Sequence, residues 1–166
     1  MKIYIRQSFT EAGPAEAKII EGVFQKIISL GNDLGLNFDF LTGKKSLDRD
    51  NFKKSFETDT GLNFTPQNFR DYRLNLLSQT DIMIIIRTGL SESSAFELAY
   101  NIFKGKKVPV FFAIHEEAPL KTTQLRELQD LLPMITYFTF KDPGEISLPL
   151  KNFIHLILNS KLILNT

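Results

Sequence analysis

Apolar residues along this chain gather into short continuous runs, separated by longer stretches where they recur every three or four positions. That pattern marks buried strands alternating with one-sided helices. The first run, residues 3–5, predicts a strand, followed by the polar turn Gln7-Ser8-Phe9-Thr10 and a helix opening near Pro14, a residue suited to a first helical turn. Ile19, Ile20, Val23, Ile27, Ile28 and Leu30 keep helical spacing, and Gly31 and Gly35 mark where that helix ends. Residues 36–41 alternate and predict a second strand closed by Thr42-Gly43, and the polar stretch 44–63 reads as partly helical. Thr65-Pro66 supplies an N-cap and a first helical position for a helix through Phe69, Tyr72, Leu76 and Leu77 to Gln79.

The run Asp81-Ile82-Met83-Ile84-Ile85-Ile86 is apolar almost throughout, as a central parallel strand covered on both faces must be. Residues 91–104 then place Ala95, Leu98, Ala99, Ile102 and Phe103 on one expected helical face, ended by Gly105. A strand over 108–114, a loop over 115–120, a helix over 122–132, a strand over 135–140 and a last helix over 148–162 complete the pattern. Strands alternating with helices predict one α/β domain over residues 1–166, with a doubly wound, mainly parallel five-stranded sheet and helices on both faces, of the Rossmann or flavodoxin type. In such sheets ligands bind at the carboxyl ends of the strands.

Composition removes several classes of function. Twenty Lys and Arg against nineteen Asp and Glu leave a formal charge of +1, without the basic excess that a nucleic-acid polymer demands. The chain has no cysteine and only two histidines, His115 and His155. Thiolate chemistry is therefore excluded, and a metal centre or other cofactor is not expected. No apolar stretch approaches the roughly 18 residues of a membrane span. The opening residues, Met1-Lys2-Ile3-Tyr4-Ile5, lack the apolar core of a leader, so the expected location is cytoplasmic.

Three strand ends bring polar residues to the expected crevice: Arg6, Gln7 and Ser8; Arg87, Thr88 and Gly89; and His115, Glu116 and Glu117. The segment Thr88-Gly89-Leu90-Ser91-Glu92-Ser93-Ser94-Ala95-Phe96-Glu97-Leu98 opens a helix after the central strand, where unpaired N–H groups and the helix dipole favour an anion or sugar hydroxyls. Ser94 and Glu97 have the spacing of a capping box, in which Glu97 would tie off its own helix. The alternative is that Glu97 faces the crevice and attacks, or stabilises charge at, an anomeric carbon. Tyr4, Phe38, Phe40, Phe111 and Phe112 read as core. Lys121-Thr122-Thr123 with Arg126 reads as an exposed first turn.

The stretch 81–112 resembles nucleoside 2-deoxyribosyltransferases and their relatives, the 2-deoxynucleoside 5-phosphate N-glycosidases. The likeness lies in an apolar strand starting at Asp81, a small-residue turn, the Ala95-Phe96-Glu97-Leu98 core and Gly105-Lys106-Lys107 before the next strand. The resemblance implies that Glu97 is the nucleophile and that Ser91, where the transferases carry an Asp and the nucleotide hydrolases a Ser, contacts a phosphate. Ser8 would then be a second phosphate contact, with Arg6 or Arg87 adding charge. Gly89 and Ser93 complete the expected substrate-binding set. The resemblance also implies a dimer or larger homo-oligomer.

Two departures stand out. Ala99 replaces a Gly, and the family's second acidic residue falls near Arg73, with Asp71 the nearest carboxylate. A helix turns about 100° per residue, so Asp71 and Arg73 point in different directions. Asp71 would protonate the leaving base if it reaches. The expected activity is cleavage or transfer at the N-glycosidic bond of a nucleoside or nucleoside monophosphate. A glycohydrolase of NAD like some TIR-type domains and a nucleotide-binding module without turnover are the alternatives. The Trp-Cys pair usual before the TIR glutamate is absent here.

Overall fold

The computed structural model describes residues 1–7, 13–43, 52–132 and 134–163. Ser8 and the polar residues 44–51 lie outside them. The apolar runs form β1 (Lys2–Gln7), β3 (Ile82–Arg87), β4 (Val110–His115) and β5 (Ile135–Phe140), and β2 (Asp39–Phe40) is a two-residue strand beside β1. All pairings are parallel, in the order β2-β1-β3-β4-β5. The sheet is therefore doubly wound with the flavodoxin-like strand order, whose switch point lies between β1 and β3.

Alternation along each strand builds two cores. Ile3, Ile5, Ile82, Ile84, Ile86, Phe111 and Ala113 face α1 (Pro14–Asp33) and α5 (Ser147–Ile163). Tyr4, Met83, Ile85, Val110, Phe112 and Ile114 face α3 (Pro66–Ser78) and α4 (Glu92–Phe103). Every residue of β3 except Arg87 is buried, as expected of a strand covered on both sides. The core reading of Tyr4, Phe111 and Phe112 holds, and Phe38 and Phe40 pack partly buried against the first core.

Local signals place the helices. Pro14 occupies the first position of α1, and the Glu16 carboxylate accepts from the Gly13 N–H at 2.9 Å. Gly31 sits inside the last turns, where a Cβ would come within 2.7 Å of the Phe38 ring, and Gly35 (φ +64°) turns the chain out of α1. Thr65 caps α3 through Asn68 N–H. Between 52 and 60 the polar stretch forms α2 (Phe52–Thr60), whose Phe56 packs edge-on against Phe69 and Tyr72 of α3.

Three expectations change. Strand β2 is shorter than 36–41, because Thr42 takes over the ladder: its Oγ1 accepts from Ile5 N–H at 2.8 Å and donates to Ile5 C=O at 2.7 Å. Thr42→Val keeps the shape but strands both backbone groups, so stability is expected to fall by about 1–3 kcal/mol. Urea unfolding with an unchanged m-value is the measurement, and a loss below that range would show that water replaces the hydroxyl.

The helix expected over 122–132 is instead two single 3-10 turns, Thr123–Leu125 and Leu128–Asp130. Arg126 is extended and Glu127 left-handed (φ 52°). The Tyr137 hydroxyl donates to Leu125 C=O and accepts from Leu128 N–H, holding the break. Arg126 folds back onto Leu120 C=O.

The buried face of α4 is Glu97, Leu98, Asn101 and Ile102, while Ala99 and Phe103 are exposed. Periodicity counted only apolar residues. Here two polar side chains go inward because each finds partners: Asn101 bonds both the N–H and the C=O of Val108.

Candidate functional site

Helices α3 and α4 both start at the carboxyl edge of the sheet and run back along it, so their first turns form two walls over the switch point. Between them lies a cleft of about 350 Å³ lined by Phe69, Arg70, Arg73 and Leu74 on α3 and Glu92, Ser93, Phe96 and Glu97 on α4. That volume is within the range of small-molecule sites.

Glu97 is 5% exposed yet lines this cleft. Arg73 grips it as a fork, with Nε donating to Oε1 at 3.1 Å and Nη2 to Oε2 at 3.4 Å. Arg6, arriving from the end of β1, stands 3.3 Å from Oε2 through its Nε. The Arg73 guanidinium in turn lies 4.6 Å over the ring of Tyr4. An acid buried at the floor of a cleft is thus held by two cations from two different elements.

This geometry settles which role Glu97 plays in its helix. The N-cap of α4 is Ser91, whose Oγ accepts from Ser94 N–H at 3.3 Å and from Ser94 Oγ–H at 2.8 Å. Ser94 is already helical, so the capping-box reading of Ser94 and Glu97 does not hold. The Glu97 carboxylate is directed to Arg73 and Arg6.

Burial is the largest influence on the Tyr4 hydroxyl and pushes it well above the ordinary tyrosine range; the Arg73 charge opposes this and Glu97 adds to it. An acid raised in the folded state leaves stability intact below the unfolded value of about 10 and erodes it above, as the unfolded tyrosine ionises. In an alkaline titration followed by tyrosinate absorbance, wild type and Tyr4→Phe are expected to trace one curve until unfolding begins. A separation of the curves before that point would show Tyr4 ionising in place.

The other expected site residues distribute unevenly. Arg87 spends its donors on the loop after β4, with Nε to Ala118 C=O at 2.8 Å and Nη2 to Pro119 C=O at 3.3 Å. Gly89 lies beside Glu16 at the start of α1. Arg87, Gly89, Ser91 and Ser94 surround a void of about 20 Å³, room for a single water. Ser93 is exposed on the cleft wall. Asp71 is exposed on α3 and is not among the residues lining the cleft. Among the described residues no three of His, Asp or Glu assemble as a metal-binding set.

No family model and no curated protein matches the sequence. Solved structures do resemble it. The CMP N-glycosidase of Clostridium botulinum aligns with a TM-score of 0.59 at 10% identity, over 92% of this chain and 99% of that one. A 2-deoxyribosyltransferase of Bacillus psychrosaccharolyticus aligns with a TM-score of 0.48 at 18% identity, over 89% and 90%. At 10% identity the likeness to the CMP N-glycosidase structure is one of fold. A flavo-di-iron protein of Thermotoga maritima also aligns, with a TM-score of 0.50 at 13% identity, over 93% of this chain but 35% of that one. Architecture of this kind hosts unrelated chemistries, so the reaction must be argued from the site.

Besides Arg73, the cleft contains five residues that sequence reasoning passed over as site residues: Phe69, Arg70, Leu74, Glu92 and Phe96. Phe69 read as helix core, and no pattern distinguished Arg70 from a solvated charge. Only Phe96 carried a signal, because an aromatic residue 51% exposed sits outside the inward periodicity of its helix.

Proposed function

We propose that this protein cleaves or transfers at the N-glycosidic bond of a nucleoside or nucleoside 5′-monophosphate, with Glu97 as nucleophile. The observation that carries this reading is the placement of Glu97: an arginine-held carboxylate at the floor of a cleft with aromatic walls. A carboxylate offers about four lone-pair positions. Arg73 takes one on each oxygen and Arg6 lies against Oε2, so Oε1 meets one arginine where Oε2 meets two and is the attacking oxygen in this proposal.

In the proposed reaction Oε1 attacks C1′ and the C1′–N bond breaks, its electron pair leaving with the base. Water or a second base then attacks C1′ and releases Glu97. Of the expected binding residues, Ser93 stands on the cleft wall and Arg6 lies against Glu97, and Phe69 and Phe96 offer faces for a base. Asp71 stands outside the cleft, so a part for it in protonating the base requires a movement of α3. Phosphate contacts by Ser91, Gly89 or Arg87 would require the small void beside them to open.

The grip of Arg73 on Glu97 favours a second reading, a nucleotide-binding module without turnover. Incubating the protein with nucleosides, nucleoside monophosphates and NAD, and following free base by chromatography, separates the readings. Base release from a nucleoside or monophosphate supports the proposal. Release from NAD alone points to an NAD glycohydrolase, and tight binding without release points to the module.

A further inference from the structure

Positive charge outnumbers negative charge around Glu97. One carboxylate meets two guanidiniums, and the side chains of Arg6 and Arg73 are only 18% and 12% exposed. A surplus cation is therefore held beneath the cleft, where uncompensated charge is costly. Burial pushes the Arg6 guanidinium down from its usual range, and the neighbouring Arg73 charge adds to this against the pull of Glu97. Arg70, one turn before Arg73, lines the same cleft, is exposed and has no hydrogen-bond or ion-pair partner among the described residues. Glu92 is the only other acid on the cleft walls among those residues.

We infer that the cleft selects ligands carrying an anionic group, seated on Arg70 with the surplus charge of the Arg6–Glu97–Arg73 triad behind it. This rests on the proposed function, in which the group is the 5′-phosphate of a nucleoside monophosphate, and it makes Arg70 a specificity-determining residue. A guanidinium suits the task because its planar fork matches two phosphate oxygens at once. The serine cap of α4 is a poorer seat. Ser91 is already engaged by Ser94, and Arg87 is committed to loop carbonyls.

Calorimetric titration of wild type and Arg70→Gln with AMP, CMP, adenosine, cytidine and inorganic phosphate tests this. In low salt, at least one monophosphate is expected to bind wild type about tenfold more tightly than its nucleoside, the size of one charge-assisted contact. Arg70→Gln should erase most of that difference while leaving nucleoside affinity within about twofold. The variant should fold normally, since Arg70 is exposed, and Arg70→Lys should restore part of the preference. Equal affinity of wild type for both partners of each pair, no binding of any probe, or a preference that survives in Arg70→Gln overturns the inference. Base release with no phosphate preference would sink this inference and leave the proposed function standing. Phosphate preference without base release would do the reverse.

Discussion

Glu97→Gln is expected to lower the unfolding free energy by about 3 kcal/mol, the lower end of the range for removing one partner of a buried ion pair. The amide still accepts one hydrogen bond from Arg73, which is why the lower end applies. What it cannot do is balance Arg6 and Arg73, which converge on the carboxylate at 3.3 Å and 3.1 Å and would be left as neighbouring buried cations. Arg73→Met should cost less, about 2 kcal/mol, because Arg6 remains beside Glu97 to share its charge. The double variant should recover only part of the loss, since it removes the repulsion between Arg6 and Arg73 but leaves Arg6 without its counter-ion. At this chain length the single Glu97 change corresponds to a melting midpoint lower by roughly 10 °C. Urea and thermal unfolding of the three variants measure this, and a loss under about 1 kcal/mol for Glu97→Gln would mean that water screens the triad more than its burial implies.

The same triad shows where reading the chain succeeded and where it stopped. Continuous apolar runs made β3 and β4 plain, because a strand buried on both faces has no polar face to confuse with a helix. Pro14 and Thr65-Pro66 marked helix starts for a local reason, one that needs no tertiary context. The segment 122–132 failed because its conformation is set from a distance by the Tyr137 hydroxyl. The face of α4 failed for a related reason: Glu97 and Asn101 go inward because partners on β1, α3 and the residues before β4 satisfy them. Periodicity weighs hydrophobicity and cannot see a partner remote in sequence.

Site residues divide along the same line. Glu97 was legible as a choice between cap and catalytic group, and the cap at Ser91 removes the first of these. Arg73 was legible as a departure from the family pattern but not as the group that binds Glu97, because that contact spans 24 positions. Arg70 and Phe96 became site residues only when α3 and α4 were seen to run side by side from the same edge.

Glu97→Ala is expected to reduce base release at least a thousandfold, the scale seen when a nucleophile is deleted from an active site whose other parts persist. Loss of activity alone would be ambiguous, because the stability argument for Glu97→Gln implies that this variant is also destabilised. Two controls separate the causes. Arg73→Met shares part of the destabilisation yet keeps the carboxylate, so at a temperature where both variants are folded it should retain far more activity than Glu97→Ala. Added formate or azide can enter the space left by the missing side chain and attack C1′ in its place, so either should restore turnover to Glu97→Ala and leave the wild-type rate unchanged. Rescue by a small anion requires a substrate already seated with C1′ exposed to the position of Oε1, which a purely structural role for Glu97 would not provide. A folded Glu97→Ala variant that releases base at the wild-type rate would remove Glu97 from the chemistry and leave it as the counter-ion of Arg6 and Arg73.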